Sequence, residues 1–196
     1  MLFYNFEDKI LQRFLRVKCL FNKSCVMTVS CERVKKTAEE QIKALLAKYS
    51  MPSLEVIIPI LEKSERGQQE LTTQVYDEIK SLAIGLKEIL GLKDKNMRAV
   101  AKINEVMFSF EGQKFEPIEL SDSKFSFSVS DCPMLHVGKN VSFDVKSKFC
   151  DLLCVGGSKA IIDVILGSNK ATCTWNKALI KGLSKCTLVW ELARDR

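Results

Sequence analysis

Lys124-Phe125-Ser126-Phe127-Ser128-Val129-Ser130 alternates apolar and polar residues without a break, and its reading decides the fold. A period of two puts successive side chains on opposite faces, so the run is a strand with its apolar face toward a core and its other face wet. The sequence before it reads differently. From Gln68 to Leu90 the apolar residues Leu71, Val75, Ile79, Leu82, Leu86 and Ile89 recur at spacings of three and four, and Gly91 supplies a left-handed stop. The chain therefore passes from helices into a sheet.

Working outward toward the start, Thr37 and Glu40 form a capping box for a helix to about Tyr49. Ser53 caps a shorter helix carrying Leu54, Val56, Ile57, Ile58, Ile60 and Leu61, which Pro59 kinks or ends. A further helix is expected from Asp94 to Met107 with Met97, Val100, Ala101, Ile103 and Val106 inward. Strand character is expected from Phe108 onward, with Glu116-Pro117 breaking the first strand. Gly138-Lys139-Asn140 reads as a turn before a strand through Val141, Ser142 and Phe143. From about Ser147 helical spacing returns, placing Phe149, Leu153, Ala160, Ile161, Val164 and Ile165 on one face as far as Gly167. Short strands follow at Thr172 to Trp175 and Cys186 to Leu192. The order predicts an α+β fold in which N-terminal helices precede an antiparallel sheet crossed by a C-terminal helix.

With 196 residues and 46% hydrophobic content, the chain can bury a core as a single domain over 27–196, helical over about 34–108 and sheet-and-helix over 109–192. Residues 1–26 read as a basic amphipathic helix or extension, and Met27 is an alternative start of the domain. A net charge of +6 spread among 24 acidic residues gives no basic face for nucleic acid. No apolar run approaches the roughly 20 residues of a membrane span. Eight cysteines without a signal-peptide pattern predict reduced thiols in the cytoplasm.

Five of those cysteines punctuate the last third. They are Cys132 in Asp131-Cys132-Pro133, Cys150 and Cys154 in Phe149-Cys150-Asp151-Leu152-Leu153-Cys154, then Cys173 and Cys186. Phe149-Cys150-Asp151-Leu152-Leu153, Gly156-Gly157, Leu166-Gly167 and the ending Gly182-x-x-x-Cys186-x-Leu188-x-Trp190-Glu191 together resemble the C-terminal half of the 4-vinyl reductase domain family. That ligand-binding fold is shared with bacterial aromatic-sensor domains and vesicle-tethering subunits. With Asp131-Cys132-Pro133 in front, the segment is also similar to the L-2-amino-thiazoline-4-carboxylic acid hydrolase family. The resemblance spans roughly residues 70–192.

The first resemblance implies an apolar pocket between helix and sheet and a structural zinc, with Cys150 and Cys186 at matching cysteine positions. The remaining ligand positions fall near Trp175 and Ala178, so Cys132, Cys154 or Cys173 would have to complete the set. Cys150-x-x-x-Cys154 sits one helical turn apart, a spacing that suits a shared metal or shared burial. The pocket is expected to be lined by Phe125, Phe127, Phe149, Leu153 and Trp175 and to take a small apolar molecule.

The second resemblance implies a thiol hydrolase. Cys132 is its candidate nucleophile, with His136, the single histidine, as base and Asp131 beside it. The plainer reading of His136, as an exposed turn residue, stands ahead of the catalytic one. Gly156-Gly157 lacks the surroundings of a phosphate loop, and close packing of the backbone on a sheet or a partner helix accounts for it. In the resembling fold this helix lies near a dimer axis, which makes a homodimer the expected assembly. A ligand-binding module, a hydrolase and a structural assembly subunit are the three functions these residues leave in view.

Overall fold

A computed structural model describes residues 29–48, 54–63, 65–110, 113–130, 132, 141–177 and 179–193. The expectations for residues 1–26, Ser53, the turn at 138–140, Asp131 and His136 lie outside the described residues. Four helices come first: α1 (Val29–Leu46), α2 (Leu54–Lys63), α3 (Glu65–Ile89) and α4 (Met97–Phe110). Strands β1 (Lys114–Leu120) and β2 (Lys124–Ser130) follow. A C-terminal helix then runs unbroken as α5 (Phe143–Cys150), a π-helical segment (Asp151–Gly157) and α6 (Ser158–Ile165). Strands β3 (Ala171–Trp175) and β4 (Cys186–Leu192) close the chain, with a short 3₁₀ turn (Leu179–Lys181) between them. The sheet has the order β1-β2-β4-β3, and every neighbouring pair is antiparallel. The fold is α+β.

Helix α3 is the axis of the helical layer. Its apolar stripe of Leu71, Val75, Ile79, Leu82 and Leu86 is buried, as the spacing requires. Gly91, at φ +62°, ends it in a Schellman motif: Gly91 N–H donates to the Glu88 carbonyl and Leu92 N–H to the Lys87 carbonyl, each at 3.0 Å. Helix α4 begins at Met97 instead of Asp94, because the Asn96 side chain accepts from Ala99 N–H at 3.1 Å and caps it. Its predicted inward residues are all buried.

Four local expectations are corrected. Thr37 and Glu40 lie inside α1, which starts eight positions earlier at Val29, so they do not open the helix. Pro59 sits within α2 without ending it. Phe108 to Phe110 remain helical, with Phe108 buried against the sheet. Glu116-Pro117 does not break β1 but sits at a bulge between Pro117 and Glu119 on an outer strand, where proline is tolerated. A fifth correction bears on the site: Ser142-Phe143 opens a helix, not a strand.

The core face of the sheet carries Phe125, Phe127 and Val129 of β2 opposite Trp190, Leu188 and Cys186 of β4. Phe108 of α4 packs its ring 5.2 Å from Phe127 and 5.6 Å from Phe115, and Phe125 lies 4.8 Å from Phe127. Such ring pairs contribute about 1 kcal/mol each beyond the area they bury. The other face of β2 is less wet than its serines suggest. Ser126 and Ser128 are buried between strands whose long side chains pair across them, Lys124 with Glu119 and Glu191, and Lys185 with Glu116. Among the described residues no helix is long and apolar enough to cross a membrane.

Candidate functional site

The irregular part of the molecule is the middle of its C-terminal helix. Ser142, in an extended backbone conformation, starts α5 by accepting from Val145 N–H at 3.3 Å. A π turn holds one residue more than an α turn and is frequent at functional sites. Here it spans Asp-Leu-Leu-Cys-Val-Gly-Gly, and its glycine end meets α3. A Cβ added to Gly157 would lie 2.8 Å from the Ile79 Cδ1 atom, so glycine permits this approach. Of the two packing explanations for the glycine pair, the partner-helix one holds at Gly157.

On the inner side of the segment two buried polar residues meet. The Ser158 hydroxyl donates to Asn104 Oδ1 at 2.9 Å, and Asn104 Nδ2 donates to the Val100 carbonyl at 3.0 Å. Beside them lies a cavity of about 20 Å³ lined by Met107, Leu153, Cys154 and Gly157 among others. That space holds about one water or one bare ion.

On the outer side the segment is tied to the sheet. Lys177, two residues beyond β3, donates to Asp151 at 2.6 Å and to the Ser147 hydroxyl at 2.7 Å, and its ammonium lies 5.5 Å from the Trp175 ring centre. Lys177 adopts φ +48°, a left-handed conformation that costs a non-glycine residue free energy and that these three contacts offset. Cys150 lies within reach of this ammonium. A hydrogen bond from the Cys154 thiol, helped by Lys177, holds the Cys150 thiol below its ordinary value against the opposing effect of burial. Cys173 behaves oppositely: burial, then the negative charge of Asp151, pushes its thiol up to about 12.

The five cysteines thus divide. Cys150 and Cys154 are brought together on the helix, and Cys173, on β3, is near enough to Asp151 to feel its charge. Cys186 is paired with Val129 at the other end of the sheet, where its sulfur accepts from Leu179 N–H at 3.1 Å. Because Cys173 pairs with Trp190, four positions along β4 from Cys186, those two sulfur positions are separated by roughly 13 Å of strand. Cys132 is buried just beyond β2. Among the described residues no three His, Cys, Asp or Glu side chains are grouped to hold a metal ion, so the four ligands that zinc needs are not assembled there.

The expected pocket residues also separate. Phe125 and Phe127 are fully buried in the ring cluster and Phe149 is buried, while Trp175 is half-buried under Lys177. Leu153 alone of the five lines the cavity at the π segment. Sequence reasoning missed Asn104, Ser147, Ser158, Met107 and Lys177. For Asn104 a signal existed, since it is a polar residue in register with the apolar stripe Met97, Val100 and Met107. Lys177 gave none, because its partners are about 30 residues earlier in the chain.

Fold and site together define an α+β protein with a polar, sulfur-rich irregularity in its C-terminal helix. No family model, no curated protein and no solved structure matches the chain.

Proposed function

We propose that the protein is a binding module that takes a small ligand at the π segment of its C-terminal helix. One observation supports this reading: a π turn, a buried Asn104–Ser158 pair and a cavity coincide at Asp151–Gly157. The reading keeps the small-molecule class expected from the sequence and narrows the size. A cavity of about 20 Å³ suits an occupant of one or a few heavy atoms better than a large apolar metabolite. The hydrolase reading draws less support, since Cys132 is only 6% exposed and a nucleophile must reach its substrate.

Thermal unfolding across a panel of ions and small polar and apolar molecules tests the proposal. A ligand present at 100 times its Kd raises stability by about 2.7 kcal/mol. At least one panel member is expected to raise the Tm of the wild type and not that of Leu153→Phe, which fills the cavity. No response to any member, or the same response in both proteins, would contradict it.

A further inference from the structure

The two edges of the sheet are finished differently. The outer edge of β1 is guarded: Pro117 lacks an N–H, a bulge follows it, and Lys114, Glu116 and Glu119 stand along it as exposed charges. Charge, proline and bulges are the devices by which an edge strand refuses a further strand. Strand β3 has none of them. It reads Ala171-Thr172-Cys173-Thr174-Trp175, without a charge, a proline or a glycine, and among the described residues β4 is its one strand neighbour.

The backbone of β3 is turned to use that edge. Lys170, just before the strand, accepts from Ala193 N–H at 2.8 Å, and Asn176, just after it, donates its N–H to the Thr187 carbonyl at 3.3 Å. Main-chain groups alternate in direction along an antiparallel strand, so Thr172 and Thr174 also point theirs at β4. The N–H and C=O groups of Ala171, Cys173 and Trp175 point the other way, off the edge of the sheet.

The strand is complementary to a copy of itself. A two-fold axis through Cys173 sets Thr172 opposite the partner's Thr174, and Ala171 opposite the partner's Trp175, so a small side chain meets a large one. The same axis brings the strand ends into step. Asn169 at φ +60° and Lys177 at φ +48°, the two left-handed non-glycine residues among those described, stand equally far on either side of Cys173 and close the extended stretch symmetrically. Surface remains there to cover, since Thr172 and Thr174 are exposed and Ala171, Cys173 and Trp175 are half-buried. The helix glycines offer no rival axis at Gly157, because Ile79 of the same chain already occupies the space over it.

We propose that β3 is a homodimer interface, through which two copies of the chain pair antiparallel in register about Cys173 and join their four-stranded sheets into one. Two main-chain hydrogen bonds form in each of three residue pairs, about six in all. An interface this short belongs to the weak, transient class, with a Kd expected on the order of 10 µM.

The test is sedimentation equilibrium of the reduced full-length chain over a series from about 1 to 200 µM, which brackets that Kd. A reversible monomer–dimer equilibrium is expected. Thr172→Lys/Thr174→Lys sets lysine against lysine at two places across the axis and should weaken association by about 10-fold or more. Thr172→Lys/Thr174→Glu sets lysine against glutamate and should return it to within about threefold of the wild type. Both positions are exposed, so far-UV circular dichroism should show each variant folded. Register is read separately, by mixing the Thr172→Cys and Thr174→Cys chains under mild oxidation and mapping the disulfides by mass spectrometry. An interchain link between positions 172 and 174 is expected, because opposed residues outside the hydrogen-bonded pairs hold their Cα atoms about 4.5 Å apart. Thr172→Cys alone should give no link between its two copies of position 172. A chain that stays monomeric to about 200 µM overturns the proposal, as does a dimer that Thr172→Lys/Thr174→Lys leaves at wild-type strength or a mixture without the link between 172 and 174. The binding reading of the π segment is independent of all these outcomes.

Discussion

The ring cluster on β2 and the π segment of the C-terminal helix are both central to the fold, and they are built on opposite terms. Around Phe127 rings touch rings, and the side chain is fully buried. Around Ser158 the helix is widened by a residue, a buried amide needs a buried hydroxyl, and a cavity persists. The first region uses its residues for stability. The second departs from those terms, and the proposed binding role would account for the departure.

Substitutions that treat the two regions alike should expose this difference. Phe127→Ala removes a ring that contacts Phe108, Phe115 and Phe125, and should cost about 3–5 kcal/mol in chemical denaturation. A loss below about 1 kcal/mol would mean that the cluster is not the main source of stability. Ser158→Ala strands a buried amide oxygen and should cost about 2 kcal/mol. Pairing it with Asn104→Leu should recover part of that loss, because removing both partners removes the unmet hydrogen bond.

Gly157→Ala tests the helix contact alone. The new Cβ would meet only the movable end of Ile79, so the cost should be about 1 kcal/mol and should shrink when Ile79→Val makes room. A further effect concerns pH. The Cys173 thiol is raised in the fold to about 12 from an ordinary value of 9.0, so the folded state holds this proton more firmly than the unfolded chain. That contribution is fully present below about pH 9 and is lost as pH rises toward 12. Cys173→Val should flatten the stability profile across the lower part of this window, while Tyr76, raised to about 12 by burial and by its bond to Asp163, maintains a decline above pH 10.

The same contrast explains what the sequence revealed. The α3 stripe, the strands at Lys124–Ser130 and Cys186–Leu192 and the stop at Gly91 were legible because each depends on local period or local backbone sterics. Phe108 was misread because its aromatic neighbours look like strand while its helix packs them against the sheet. Ser142 hid a helix cap inside an apparent strand, since a serine between two apolar residues fits both. At the site, Cys150 and Cys154 could be paired by spacing, but Met107, Asn104 and Lys177 reach them only through tertiary packing. The π turn itself left no trace beyond two glycines, because the extra residue is absorbed by hydrogen-bond register and not by composition.

The account turns on the π turn being kept for binding and not for folding. Deleting Gly156 removes the one residue by which this turn exceeds an α turn, and the free energy of unfolding of that variant, measured by chemical denaturation without added ligand, tests the point directly. The prediction is a ligand-free stability equal to or above that of the wild type. A loss of more than about 2 kcal/mol would contradict it, by making the extra residue part of what holds the fold together.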